Sequence, residues 1–216
     1  APGTYSSGMD IYELNGYEGN WITIEGPISG EAARFIGRRN RSTITIKNSS
    51  YVRILGLHLV ADEANPNHGI ELLAESQYAH HITIQELHIS GFKQSANSSA
   101  IITKAPVWDL NIRLNTIEDV GTGLSLGNKN SPSQFIRGTI EQNAILQAFA
   151  YAIFIGQQSE RPDIPGIPRQ SSNIYIRDNV LSKSRVLRPN TSGRPIVLLE
   201  RQSETGFSEN DNYQIY

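Results

Sequence analysis

The hexapeptide Leu110-Asn-Ile-Arg-Leu-Asn115 decides the fold, because similar hexapeptides recur farther along the chain. Gly138-Thr-Ile-Glu-Gln-Asn143 and Ile174-Tyr-Ile-Arg-Asp-Asn179 repeat its isoleucine at the third position and its asparagine at the sixth. The first two asparagines are 28 residues apart and the next two are 36 apart. A repeat of this length predicts stacked units that bury one shared core.

Outward from this stretch, two series of short apolar strands alternate along the chain, and both have the period-two pattern typical of strands. The first series consists of Trp21-Ile-Thr-Ile24, Val52-Arg-Ile54, Ile82-Thr-Ile84, Leu110-Asn-Ile112, Gly138-Thr-Ile140 and Ile174-Tyr-Ile176. The second series consists of Ile44-Thr-Ile46, Ile70-Glu-Leu72, Ile101-Ile-Thr103, Leu124-Ser-Leu126, Ile153-Phe-Ile155 and Ile196-Val-Leu198. The segments between them show no helical period long enough for βαβ units. The sequence therefore predicts an all-β solenoid of about six coils, a single domain over residues 1–216.

The recurring asparagines predict a ladder along one corner of this solenoid. An asparagine in a tight turn tolerates left-handed backbone, and stacked copies can pass side-chain hydrogen bonds from coil to coil. Asn115, Asn143 and Asn179 would form the ladder, and Leu57 and Leu87 would continue it as an apolar column in the two preceding coils. The alternative explanation is turn preference alone.

Composition excludes several functions. The 216 residues carry a formal net charge of −2 and contain no cysteine. The basic residues are scattered, which argues against a nucleic-acid partner. Disulfides, thiolate catalysis and cysteine-bound zinc are excluded. No apolar run is long enough for a membrane helix, so we expect no membrane partner. We also expect a monomer in solution.

A family resemblance rests on Pro2-Gly-Thr-Tyr5 together with Gly121-Thr-Gly-Leu-Ser-Leu-Gly-Asn128 and Phe135-Ile-Arg-Gly-Thr-Ile-Glu-Gln-Asn143. The chain resembles the right-handed parallel β-helix superfamily that contains pectate lyases, alginate lyases, chondroitinase B and polygalacturonases. It is also similar to secreted bacterial β-helix repeat proteins of unassigned activity. The resemblance implies a right-handed β-helix and a secreted or periplasmic location, with no signal peptide in this chain. Because neither end shows a capping element, we expect the chain to be part of a longer protein.

The resemblance implies that substrate lies along the outer face of one sheet, and the second series of strands matches that sheet. By alternation its outward residues are Thr45, Glu71, Ile102, Ser125, Phe154 and Val197. We expect Lys104 and Lys129 to be the catalytic bases. The predicted substrate-binding residues are Glu71, Asn128, Gln157, Arg201 and Trp108. The resemblance also implies a Ca²⁺ ion, for which Asp62, Glu63 and Glu75 are the predicted ligands.

These residues favour a polysaccharide lyase that cleaves a uronate-containing glycan by β-elimination. The reaction needs a cation to neutralise the carboxylate, a base for the neighbouring proton and an acid for the leaving oxygen. The stretch Glu71-Leu-Leu-Ala-Glu75-Ser76-Gln77 is similar in outline to the alginate lyase pattern, but Glu75 stands where that pattern has lysine. A polysaccharide-binding or cell-surface module without catalysis is the alternative, supported by the apolar Ile102 and Phe154. A glycoside hydrolase that pairs Glu71 with Glu75 or Asp62 is a third possibility.

Three other features carry weaker predictions. His80 and His81 are adjacent in a strand, so alternation places their side chains on opposite faces and favours structural roles over a metal pair. Trp108 either stacks on a sugar ring or is buried under a loop. The proline-rich segment from Arg161 to Arg169 is predicted to flank one side of the binding cleft.

Overall fold

The computed structural model of the chain describes residues 1–61, 67–75, 77–128, 133–157, 161–185, 194–200 and 211–216, with backbone only for Asn128 and Gln157. All regular secondary structure in these residues is β-strand. In the same residues no helix is long and apolar enough to cross a membrane. The all-β class predicted from the sequence is therefore confirmed.

The strands form three parallel sheets, and each sheet takes approximately every third strand of the chain. The first sheet contains β1 (Gly3–Tyr5), β4 (Ala33–Ile36), β7 (Leu57–Val60), β10 (His88–Ser90), β13 (Thr116–Glu118), β17 (Ala144–Ala148) and β20 (Val180–Lys183). The second contains β2 (Met9–Tyr12), β5 (Ile44–Lys47), β8 (His68–Leu73), β11 (Ser99–Thr103), β14 (Thr122–Asn128), β18 (Tyr151–Gln157) and β21 (Val197–Leu199). The third contains β3 (Ile22–Glu25), β6 (Ser50–Leu55), β9 (His80–Gln85), β12 (Val107–Arg113), β16 (Thr139–Glu141), β19 (Asn173–Arg177) and β22 (Asn212–Ile215), and β15 (Phe135–Ile136) pairs with β12.

This order means that the chain visits the first, second and third sheets in turn and then returns to the first. Each strand consequently hydrogen-bonds to the equivalent strand of the preceding passage, as parallel pairing requires a long connection between neighbours. The arrangement is compatible with a parallel β-helix. The strands of the first sheet form a third series that the sequence analysis did not predict.

The register confirms the first predicted series as the third sheet. Ile54 pairs with Ile84, Ile84 with Ile112, and Ile112 with Ile140, so the repeating isoleucines are stacked neighbours. These side chains are fully buried in one hydrophobic core. Burying each one contributes about 1.5–3 kcal/mol relative to exposure. The core thus runs along the solenoid, and no single passage of the chain could bury it alone.

The second predicted series is the second sheet, with one error. Ile70 pairs with Ile101 as expected, but Ile153 pairs with Val197 rather than with Ile196. Val197 therefore packs against the core, and the outward residue of this strand is Leu198 instead. The register of β21 could not be predicted from the sequence because a long segment separates it from β18. A shift of one residue moves each side chain of a strand to the opposite face of the sheet.

Asparagine side chains connect successive passages at the corner between the third and first sheets. Asn115 Oδ1 accepts a hydrogen bond from the backbone N–H of Leu87 at 3.0 Å. Asn143 Oδ1 accepts bonds from the backbone N–H and Nδ2 of Asn115 at 3.1 and 2.9 Å, and Asn179 Oδ1 accepts the equivalent bonds from Asn143, both at 3.0 Å.

The left-handed backbone of this corner lies one residue before the asparagines. Leu114 and Gln142 have φ values of 57° and 56°. The asparagines therefore contribute amide hydrogen bonds, while their predecessors make the turn.

Candidate functional site

A cleft of about 430 Å³ lies on the outer face of the second sheet. Its lining is drawn from four successive strands of that sheet and from the segments that precede or follow them. The lining residues are Ala96, Asn97, Ser99, Ile102, Thr103, Lys104, Thr122, Ser125, Gly127, Tyr151, Phe154, Arg194, Leu198 and Glu200. We refer to this set as the cleft.

The floor of the cleft is a row of outward side chains in register. Ile102 pairs with Ser125, Ser125 with Phe154, and Phe154 with Leu198. The ring of Tyr151 lies 5.5 Å from that of Phe154. The predicted outward positions Ile102, Ser125 and Phe154 are thus brought together, and the result is a largely apolar floor.

The rim of the cleft is polar. The Arg194 guanidinium lies 5.3 Å from the centre of the Tyr151 ring, which is a cation–π contact. Lys104 and Glu200 also line the cleft. The sequence analysis did not predict Arg194, because it follows a long irregular segment in which no periodic pattern indicates where a side chain points.

Lys104 forms an ion pair with Glu71, a residue of the neighbouring strand. Ser42 Oγ donates a hydrogen bond of 2.7 Å to the other carboxylate oxygen of Glu71. Burial raises the pKa of Glu71, but the hydrogen bonds from Lys104 and Ser42 and the charge of Lys104 outweigh it, so the pKa is lowered overall. Glu71 is therefore a carboxylate at neutral pH and holds the Lys104 ammonium group against it.

His68 lies beside this ion pair and is nearly buried, with 8% of its surface exposed. Its Nδ1 accepts a hydrogen bond from the backbone N–H of Ser99. Burial and the charge of Lys104 lower the pKa of His68 to about 4. The imidazole is therefore neutral at pH 7 and fixes the start of the strand that carries Ile102.

The remaining catalytic and substrate-binding candidates are only partly placed. The backbones of Asn128 and Gln157 are register partners at the ends of β14 and β18, beyond the cleft floor. Lys129 and Arg201 lie outside the described residues.

Of the three predicted calcium ligands, only Glu75 lies within the described residues. Asp62 and Glu63 lie outside the described residues. Glu75 forms an ion pair with Lys47. Glu71, which was predicted to bind substrate, pairs with Lys104. Within the described ranges no three His, Asp or Glu side chains converge as a metal site.

Trp108 lies apart from the cleft, in the third sheet, with only 3% of its surface exposed. It packs with Ile136 and with Ile164 and Ile167 of the proline-rich segment. That segment therefore covers the third sheet, and none of residues 161–169 lines the cleft that it was predicted to flank. Of the two roles that the sequence left open for Trp108, its packing matches burial under a loop.

A second cluster of functional groups lies on the outer side of the third sheet. Tyr51, His81, Asp109 and Arg137 occupy the same position in successive passages, and we call them the bulge column. All four have positive φ, between 49° and 55°. Left-handed backbone is costly for side chains of this size, so the surrounding sheet must hold it in place.

The side chains of the bulge column contact one another along the solenoid. The Tyr51 and His81 rings stack at 4.3 Å, and His81 Nε2 lies 3.2 Å from Asp109 Oδ2. Arg137 donates two hydrogen bonds to Asp109, both of 2.6 Å. The column is consequently a chain of stacked, ionic and hydrogen-bonded groups.

The bulge column overturns the prediction that His80 and His81 point to opposite faces. The left-handed residue His81, with φ of 51°, interrupts the alternation. The Nδ1 atoms of the two rings lie 2.8 Å apart as a result. Burial, followed by the charge of His81, lowers the pKa of His80 to about 4. No local sequence signal marks position 81 as left-handed, which is why the pair was missed.

Comparison of the chain with protein-family models, with curated proteins and with solved structures finds no match, so its function has to be inferred from this geometry.

Proposed function

We propose that the protein binds a polysaccharide in the cleft on the second sheet. The observation that carries this proposal is the floor formed by Ile102, Phe154 and Leu198, with Tyr151 beside it. Sugar rings present C–H faces that pack on apolar and aromatic side chains, and their hydroxyl groups bond to polar groups at the edge. The floor is formed by rigid strands, so it is preorganised for such a ligand.

The rim supports a preference for acidic glycans. Arg194 is held over Tyr151, where its guanidinium faces the cleft edge, and a planar guanidinium matches the geometry of a carboxylate. Lys104 contributes an ammonium group, although Glu71 neutralises part of its charge. The described lining thus has two cations, Lys104 and Arg194, against one carboxylate, Glu200. A uronate-containing polysaccharide therefore suits this rim better than a neutral one.

Binding is a better fit than elimination because of the ion pair at the cleft edge. An ammonium group that contacts a carboxylate has no lone pair with which to remove a proton. The lowered pKa of Glu71 keeps that carboxylate charged, so the pair persists through the neutral pH range. Of the two proposed bases, the described one is thus engaged in a structural contact.

The test is affinity electrophoresis or calorimetry of the full chain with pectate, alginate, chondroitin and a neutral glucan. Phe154→Ala is expected to weaken binding about tenfold, which corresponds to about 1.4 kcal/mol. Tyr175→Ala is the matched control, because this aromatic side chain is also partly exposed but lies on the third sheet. Equal binding by wild type and Phe154→Ala, or no binding to any glycan, would contradict the proposal.

Lyase activity stays a prediction, and the position of Lys104 on the cleft lining favours it as the second candidate. It requires an unsaturated, ultraviolet-absorbing product from an acidic glycan, and Lys104→Ala should abolish that product while Lys47→Ala should not. New reducing ends without this absorbance would indicate the hydrolase instead. Calcium and an extracellular location stay predictions as well.

We also propose that the solenoid is a right-handed parallel β-helix of about six coils, related to the pectate-lyase-like superfamily, with an asparagine ladder. The recurring order of the three parallel sheets and the bonds among Asn115, Asn143 and Asn179 support this. Connections between parallel strands are right-handed in nearly all known sheets. A crystal structure with the opposite hand would contradict it.

A further inference from the structure

We propose that His80 and His81 form a chelating pair that binds one divalent transition-metal ion, with Cu²⁺ the best fit, through their Nδ1 atoms. This site lies on the third sheet and is independent of the glycan cleft. The carrying observation is the distance of 2.8 Å between the two Nδ1 atoms. The left-handed backbone at His81 brings both rings to one side of the strand.

The separation of the nitrogens selects the kind of ion. Two nitrogens bonded to one ion at about 2.0–2.1 Å lie about 2.9 Å apart when the angle at the metal is about 90°, and about 3.3 Å apart when it is tetrahedral. The observed distance matches the right-angled arrangement, which is typical of Cu²⁺ and Ni²⁺ with nitrogen and oxygen ligands. Copper also forms the stronger complexes of the two. Water would complete the coordination.

The carboxylate behind His81 prepares this ring for a metal. Asp109 Oδ2 lies 3.2 Å from Nε2 of His81, so Nε2 carries the hydrogen and Nδ1 keeps its lone pair. Metal-bound histidines usually donate their other ring N–H to such a carboxylate, which fixes the ring and strengthens the ligand. Arg137 holds the carboxylate with two hydrogen bonds.

In the metal-free protein, His80 Nδ1 therefore carries the hydrogen and donates it to Nδ1 of His81. When the ion enters, this hydrogen moves through solvent to Nε2 of the same ring, and the rings turn so that both lone pairs converge. Both imidazoles remain neutral and no net proton is released. The ion replaces a hydrogen bond of 2.8 Å by two metal–nitrogen bonds.

The neighbouring aromatic rings hold the pair and supply a signal. The Trp108 ring stacks on His80 with centroids 4.7 Å apart, and Tyr51 stacks on His81. The His81 side chain keeps 27% of its surface exposed, which leaves a route from solvent. Copper bound to this pair would lie close to Trp108 and quench its fluorescence.

The test is titration of the full chain with Cu²⁺, followed by tryptophan fluorescence and by electron paramagnetic resonance. We expect one equivalent to bind, with quenching and with a resonance pattern of two imidazole nitrogens. His80→Gln and His81→Gln should each abolish that pattern. Asp109→Asn keeps both ligands and should weaken binding about tenfold.

The matched control is the double variant His58→Gln with His88→Gln, which removes the other close histidine pair, whose rings lie 5.2 Å apart on the first sheet. This variant should bind copper as the wild type does. The proposal is overturned if the wild type shows no one-to-one binding or fewer than two nitrogens, or if only the control variant loses copper. The nitrogen count in the wild type decides the question even if a His80 or His81 variant fails to fold.

Discussion

The outer faces of the second and third sheets are both formed by parallel strands, but their side chains are arranged differently. On the second sheet the alternation is kept, so Ile102, Ser125 and Phe154 stand in a row and leave a cleft above them. On the third sheet the bulge column interrupts the alternation, and its side chains contact one another. The difference teaches that strands with regular alternation leave a row of side chains exposed side by side, whereas strands with a left-handed residue bring their polar side chains into contact with one another.

The largest expected loss of stability comes from breaking the buried ion pair between Asp211 and Arg161, beside the third sheet. Asp211 accepts hydrogen bonds from Arg161 and from the backbone N–H of Ser172, and the Asp211 and Arg161 side chains are 0% and 4% exposed. Asp211→Ala leaves a buried guanidinium without its carboxylate, so the free energy of unfolding should fall by about 3–5 kcal/mol. Chemical denaturation measures the change.

The matched variant on the second sheet is Asp10→Ala, which removes the partner of Arg38 from a pair whose side chains are 28% and 12% exposed. It should cost about 1 kcal/mol. Equal losses in the free energy of unfolding for Asp211→Ala and Asp10→Ala would contradict the expected difference between the buried and the partly exposed ion pair.

The second effect is a loss of stability in acid at His68, next to the cleft. Its pKa is lowered to about 4 in the folded protein, against about 6.5 in the unfolded chain. As pH falls below 6.5 the unfolded chain takes up the proton first, so this contribution declines until about pH 4. The maximum loss is about 3 kcal/mol.

Denaturation curves between pH 7 and pH 4 measure this decline, and His68→Gln should make them less steep. His88→Gln is the control, because this ring is partly exposed on the first sheet. An unchanged pH dependence in His68→Gln would contradict the assignment.

The third expected effect is a change in the pKa of Glu71 and in stability when the Lys104–Glu71 ion pair is broken. Lys104→Met removes the cation beside Glu71, so the pKa of Glu71 should rise and the free energy of unfolding should fall by about 1 kcal/mol. Carboxyl-carbon NMR follows the pKa. Lys47→Met provides the comparison, since its partner Glu75 is 71% exposed on the side chain and solvent replaces the contact. A Glu71 pKa that does not move would mean that burial, Ser42 and His68 set it without Lys104.

The smallest expected effect is the change in stability when glycine replaces a left-handed residue, compared with glycine at an extended position. Leu114 has φ of 57° and its side chain is exposed, so Leu114→Gly should stabilise the protein by about 1 kcal/mol. Ser125 lies in an extended strand of the second sheet, where Ser125→Gly should cost about 0.5–1 kcal/mol. Thermal unfolding of both variants checks the opposite signs.

The sequence predicted the parts of the molecule in which side chains alternate. Ile84, Ile112 and Ile140 were found because inward isoleucines repeat at nearly constant spacing, and Ile102 and Phe154 because they lie between such residues. These positions follow from the geometry of an extended strand alone.

Other parts were missed for physical reasons. The strands of the first sheet are short, and a segment such as Leu57–Val60 has too few residues to separate a strand from a turn. The histidine pair depends on a left-handed residue that the packing of the neighbouring strands imposes. Arg194 reaches the cleft through tertiary structure that no short pattern encodes.

The 28-residue repeat between Asn115 and Asn143 predicts that one whole repeat can be removed from the middle of the chain. Ile84 pairs with Ile112 and Ile112 with Ile140, while Arg113 pairs with both Gln85 and Glu141. Excision of residues 113–140 would join Ile112 directly to Glu141, and Asn143 would then bond to the amide of Leu87 in place of Asn115. We expect the protein to tolerate such a cassette deletion better than the loss of any shorter segment from this region, since only a whole repeat restores every strand to a matching partner.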